Sequence, residues 1–177
     1  MYDRYKSHIE ELTSKSNNRI LPNPVPKGMV NLSSNDYLGI ANDDELRAEF
    51  LSSDACKEYA FGSSSSRLLT GNSLPYIELE NTMSNLFQRE ACLTYNSGYH
   101  ANIGILPSLA NKKDLIIADK LVHASLIDGF KLSVAELKRF NHLDYSHLES
   151  ILEKYRELYN KVFIVVESIY SMDGDCS

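Results

Sequence analysis

A chain of 177 residues that is 43% hydrophobic and 24% charged holds enough apolar material for one domain with a core of its own. Its formal net charge of −6 speaks against broad binding to nucleic acid or acidic membrane, while leaving room for a local basic pocket that takes a phosphorylated ligand. No apolar run approaches bilayer length and no signal-like segment opens the chain. The three cysteines, Cys56, Cys92 and Cys176, are too scattered for a disulfide scaffold or a close metal-ligand pair, so a reduced cytoplasmic protein is expected.

Residues 1–18 are polar and predict a helix with Tyr5, Ile9 and Leu12 as a short apolar stripe. Pro22, Pro24 and Pro26 then break regular structure and read as an extended arm, followed by a short strand candidate at Met29–Leu32. Asn42 is placed to cap a helix over about 43–57, with acidic residues in its first turn where the dipole favours them. Ile77, Leu79, Met83, Leu86 and Phe87 recur at helical spacing from Leu74 to Phe87. Ala91–Tyr95 reads as a strand and Tyr99–Leu109 as a helix, with Pro107 marking an end or a bend.

Leu115–Ala118 predicts a second strand and Ala124–Leu132 a short helix. A third strand is centred on Phe140, and a helix over Tyr145–Tyr159 carries Leu148, Ile151, Leu152 and Tyr155. Val162–Val166 is unbroken, apolar and β-branched, which suits a strand buried on both faces. Four strands alternating with helices predict an α/β fold with a mostly parallel sheet.

Open sheets of this kind bind ligands at the carboxyl ends of their strands. Chemistry-bearing residues gather at such positions. Ser97, Gly98, Tyr99 and the following helix start can cradle a phosphate with amides that lack intrahelical partners, or form an ordinary capped loop. His123, between a strand and a helix, can stack on a planar cofactor or exchange a proton, or be a loop histidine satisfied by hydrogen bonds. Arg67, closing the polar run from Gly62, can pair with a carboxylate or phosphate, or face solvent. Asn35 reads as a substrate contact or a turn residue, and Glu167 and Ser171 can orient a ligand at the sheet edge. Asp173 and Asp175 admit a cation or merely a turn. His142 and His147 lack convincing zinc spacing, so no metal is expected.

Taken in order, several stretches resemble the α-oxoamine synthase family of pyridoxal-phosphate enzymes. They are Asn31–Gly39, Gly62–Asn72, Ser97–Asn102, His123–Gly129 and Glu167–Asp175, whose order and spacing span nearly the whole chain. The resemblance implies the amino-terminal portion of an aspartate-aminotransferase-like (type I) pyridoxal-phosphate fold. Residues 1–40 would be an N-terminal helix and extended arm, and residues 41–177 an incomplete large cofactor-binding domain lacking its C-terminal portion.

By the same resemblance, pyridoxal 5'-phosphate is the cofactor. Ser97, Gly98 and Tyr99 lie at it, His123 covers its ring, Ser171 reaches the ring hydroxyl region and Glu167 organises the pocket. Asn35 would meet the substrate carboxylate and Arg67 is a second substrate-binding candidate. The implied reaction is decarboxylative condensation of alanine with a pimeloyl thioester, carried on coenzyme A or an acyl carrier protein, to give 8-amino-7-oxononanoate. Glycine C-acetyltransferase, another α-oxoamine synthase and a non-catalytic binding or assembly module are the alternatives. A homodimer is implied, with no nucleic-acid or membrane partner.

The family's cofactor-binding lysine falls beyond residue 177, and Lys112, Lys113 and Lys120 stand in no corresponding motif. The 177-residue chain is therefore expected to be inactive by itself.

Overall fold

The computed structural model describes residues 2–24, 26 and 28–177. They divide into two compact units, Met1–Gly62 and Ser63–Ser177.

The first unit is helical. α1 (Tyr2–Ser14) matches the expected amino-terminal helix, but Tyr5 and Ile9 are exposed, and none of its described residues is buried. Met29–Leu32 forms no strand: among the described residues of this unit there is no other strand to pair with it, and a segment without a hydrogen-bonding neighbour is simply a loop. The predicted helix over 43–57 is two helices, α2 (Asp44–Ser52) and α3 (Asp54–Glu58). Asp43, not Asn42, caps α2, accepting from the Leu46 amide at 2.8 Å. The break lies at Ser53, whose extended backbone stops α2 while its hydroxyl accepts from the Cys56 amide at 3.2 Å and starts α3. A serine that can cap the next turn offers the backbone an alternative to continuing the helix.

In the second unit, α4 (Leu74–Leu86) and α5 (Gly98–Leu109) precede a βαβαβ run. That run comprises β1 (Leu115–Asp119), α6 (Ala124–Leu132), β2 (Glu136–Phe140), α7 (Tyr145–Tyr155) and β3 (Val162–Val165). The strands form one parallel sheet in the order β2-β1-β3, with Leu115 opposite both Glu136 and Val162. All five residues of central β1 are buried. Their alternation sorts them onto two faces. Ile116 and Ala118 join Leu106 of α5, Phe130 of α6, Val122 and Tyr170, whereas Leu115 and Ile117 join Phe140 and Ile151 of α7. Helices thus cover both sides of the sheet.

Two strand expectations change. Ala91–Tyr95 does not join the sheet; the Thr94 amide goes to the Glu80 carboxylate at 2.7 Å instead of to a neighbouring strand. Phe140 ends β2 rather than centring it, because Asn141–Asp144 turn into α7, which Asp144 caps through the His147 amide. α7 also stops at Tyr155, and a single 3-10 turn fills 156–158. Pro107 sits inside α5 near its end.

α5 and α6 pack closely against each other. A Cβ at Gly129 would come 2.6 Å from the Asn102 carbonyl oxygen, so this approach requires glycine. Among the described residues no helix is long and apolar enough to cross a membrane.

Candidate functional site

β1 and β3 are parallel neighbours, so the segments that follow them leave the sheet at the same edge. There they meet the first turn of α5. The result is an open cavity of about 560 Å³ lined by Gly98, Tyr99 and Asn102 of α5, by His123, Ser125 and Leu126 at the start of α6, and by Val165–Ile169. Its size falls within the range of small-molecule sites.

Ser97 caps α5, its hydroxyl accepting from the His100 amide at 3.2 Å. The amides of Gly98 and Tyr99, at the positive end of the helix dipole, have no intrahelical acceptor and suit an anion. A Cβ at Gly98 would meet nothing within 4 Å, so packing inside the protein does not demand glycine there; its bareness leaves the cavity open. The Tyr99 hydroxyl donates to Asp128 at 3.2 Å, and this bond holds the phenol above its ordinary pKa. Asp128 is held below the carboxylate range by Lys131 first and by Tyr99 second.

His123 is fixed from two sides. Its backbone amide donates to Glu167 across the mouth between the β1 and β3 segments. Its ring Nδ1 lies 2.7 Å from the Ser125 hydroxyl and accepts from the Ser125 amide at 3.2 Å. Ser125 is 1% exposed and its hydroxyl also accepts from Asn102 Nδ2 at 2.8 Å. An Nδ1 that accepts an amide proton carries none itself, so the neutral ring bears its proton on Nε2. Neither Asn102 nor Ser125 stood out as a site residue in the sequence. The only signal was their place at the ends of the Ser97–Asn102 and Asp119–Ser125 stretches, because the contact joins side chains 23 positions apart.

Of the predicted site residues, Gly98, Tyr99, His123 and Glu167 come together around one cavity, with Ser97 capping the helix that opens it. Ser171 lies on the exposed turn just past the lining segment. Asn35 is an exposed residue of the first unit. Arg67 is not among the lining residues. Its guanidinium makes a two-pronged pair with Glu80 at 2.7 and 2.9 Å, two bonds to the Asn72 side chain at 3.0 and 2.8 Å, and lies 4.5 Å over the Tyr76 ring. The Arg67 bonds, together with the Thr94 amide, lower the Glu80 pKa to about 2. Arg67 therefore ties the 63–72 loop to α4 and to Thr94. Among the described residues no group of three or more His, Cys, Asp or Glu side chains is arranged to hold a metal ion.

The profile of the aminotransferase class I and II proteins matches residues 27–177. The chain belongs to the aminotransferase class I and II family. Within it, the relatives are α-oxoamine synthases, as the motifs implied. A provisionally named 8-amino-7-oxononanoate synthase of Haemophilus influenzae is 50% identical over 182 residues, covering 98% of this chain and 48% of the relative.

Among solved structures, serine palmitoyltransferase from S. paucimobilis, carrying a PLP–myriocin aldimine, superposes with a TM-score of 0.79 at 25% identity. That match covers 99% of this chain and 48% of the transferase. The crystal structure of 8-amino-7-oxononanoate synthase from Francisella tularensis gives a TM-score of 0.64 at 28% identity, covering 85% of this chain and 40% of that one. The sheet and flanking helices are thus those of the aminotransferase-like fold. The chain spans about half the length of the curated relatives it matches.

Proposed function

We propose that the protein to which this chain belongs is a pyridoxal-phosphate-dependent α-oxoamine synthase that condenses alanine with a pimeloyl thioester, releasing carbon dioxide and forming 8-amino-7-oxononanoate. The observation that carries this reading is the cavity itself. A bare glycine, two free amides at a helix start and a histidine held by Glu167 and Ser125 converge on one sheet edge.

These residues fit pyridoxal phosphate, a flat ring bearing a phosphate. When bound, the cofactor supplies an electron sink for a carbanion at the amino-acid α-carbon. Gly98 and Tyr99 would donate their amides to the phosphate, helped by the α5 dipole. His123 would lie against the ring, kept from swinging by its Nδ1 bonds to Ser125 and able to present an Nε2 proton. Glu167 would hold the His123 loop, and Ser171 would reach the ring hydroxyl. Asn35 is the proposed contact for the substrate carboxylate. Arg67, already spent on Glu80 and Asn72, would act by shaping its loop rather than by seizing substrate. The activity is proposed for the whole protein, acting as a homodimer in the cytoplasm.

A second acyl specificity has support from structure. Likeness to serine palmitoyltransferase extends over 99% of the chain, which keeps serine with a long-chain thioester in contention. The 50% identity with the H. influenzae relative favours alanine and pimeloyl thioester.

The test is product formation by the full-length protein with alanine, serine or glycine against pimeloyl, palmitoyl and acetyl thioesters. We expect 8-amino-7-oxononanoate from the first pair. Robust turnover of another pair, with none of alanine and pimeloyl thioester, rejects the product assignment. Absence of cofactor absorbance in the full-length protein rejects the class.

A further inference from the structure

Behind the wall formed by Glu167–Ile169, a second constellation joins three segments that are distant in sequence. Asp119, the last residue of β1, is fully buried. Its carboxylate accepts from the Leu121 amide at 2.7 Å and the Leu143 amide at 3.0 Å. His142, in the turn after β2, places Nδ1 2.9 Å from Asp119 Oδ1 and Nε2 3.0 Å from Asp175 Oδ2. Tyr170, 2% exposed, meets the His142 ring edge-on with centroids 4.5 Å apart. The turn closes on itself: the Tyr170 amide donates to the Asp175 carbonyl at 2.9 Å and the Gly174 amide to the Tyr170 carbonyl at 2.7 Å. Finally, the Tyr170 hydroxyl accepts from the Glu167 amide at 3.4 Å.

Carboxylates offer only acceptors, so two of them on opposite ring nitrogens call for a proton on each nitrogen. We propose that His142 is a positioning residue: as an imidazolium bridging Asp119 and Asp175 it ties the turn after β3 to the end of β1 and thereby holds Glu167 against His123. Direct bonding to Asp119, then to Asp175, raises the His142 pKa above its ordinary value despite partial burial. On the other side, burial of Asp119 opposes its charge, but the Leu121 and Leu143 amides and His142 together hold its pKa below the ordinary value.

Asp119, Asp175 and the Tyr170 phenol are the titratable groups that face His142 from the elements around it. Burial pushes the Tyr170 phenol upward, so it adds no charge near neutral pH. Asp175 Oδ1 is buried with no hydrogen-bond partner among the described residues, and it is the other oxygen, Oδ2, that meets His142. A folded-state pKa above the unfolded one means that the tie is present below the unfolded value. It is lost as pH rises through the raised value.

The positioning role rests on the reading of the cavity as the cofactor site, but its test needs no cofactor. Long-range 1H–15N spectra of the 15N-histidine-labelled full-length protein, at about pH 7.5 where free histidine is mostly neutral, report the charge on His142 directly. We expect both its nitrogens at imidazolium positions. In Asp175→Asn we expect the midpoint of the His142 titration to move to lower pH, with Asp119 left as its one carboxylate partner of the two. The Tyr170, Gly174 and His123 amides should exchange roughly tenfold faster, equivalent to about 1.4 kcal/mol of lost protection. The exposed-turn control Asp173→Asn should leave them unchanged. In the wild type the same amides should lose protection as His142 titrates. A neutral His142 at that pH overturns the proposal, as does unchanged His123 protection in Asp175→Asn.

Discussion

The two units obey the same local rules yet differ in what they bury. In the first, α2 begins at a side-chain cap and carries Leu46, Phe50 and Leu51 as helical neighbours, but these are 44%, 54% and 53% exposed. Among its described residues none is buried. In the second, α7 also begins at an aspartate cap, yet its Ile151 is 8% exposed and packs with Leu115, Ile117 and Phe140. The difference is the sheet. A central parallel strand offers two apolar faces, and helices on either side can each bury a stripe against it. Capping starts a helix; a facing surface decides whether it becomes part of a core.

The sharpest way to break this contrast is to remove equivalent aromatic rings. Phe140→Ala should cost about 3–5 kcal/mol by urea unfolding, since the ring is fully buried. Phe50→Ala should cost about 0.5 kcal/mol or less. Equal losses would mean that the first unit has a core of comparable worth. A smaller effect tests tight packing. Gly129→Ala drives a Cβ to 2.6 Å from the Asn102 carbonyl and should cost about 1–3 kcal/mol. By contrast, Gly62→Ala meets nothing within 4 Å and should shift stability by about 0.5 kcal/mol at most.

The smallest effect concerns charge. Glu80 is held to a pKa of about 2 from an ordinary 4.5, so its contribution is present above 4.5 and disappears as pH falls through about 2. Acid unfolding of Glu80→Gln should lack that pH dependence. Asp44→Asn, which removes the exposed Asp44–Arg47 pair on α2, should leave the wild-type acid curve in place.

Periodicity and composition made α1, α4, α5, α6 and most of α7 legible before any coordinates, as they did β1 and the place of β3, but β3 is not buried on both faces as its apolar run suggested: it ends the β2-β1-β3 order and Ile164 is 48% exposed. They misjudged Met29–Leu32 and Ala91–Tyr95 because β propensity describes a residue's fit to a sheet, and only a neighbouring strand makes it one. The 43–57 helix was read as continuous because the capping power of Ser53 competes locally with helix continuation and leaves little trace in apolar spacing. Gly98, Tyr99, His123 and Glu167 were legible through motif and sheet-edge position. Asn102 and Ser125 were not singled out, since their hydrogen bond exists only once α5 crosses the start of α6. Nor was the role of Arg67, whose partner Glu80 lies a loop and nearly two helical turns away.

By itself the sequence determined most of the helical segments and the central strand, where anion-binding amides and an imidazole fall along the chain, and which family carries that order of motifs. Those are properties of local spacing and of residue chemistry. Only the tertiary structure decided that the β1 and β3 edges coincide and that Glu167 reaches the His123 amide. It also decided that His142 stands between two carboxylates. Each of these depends on parallel register and helix crossing, which bring together groups tens of residues apart.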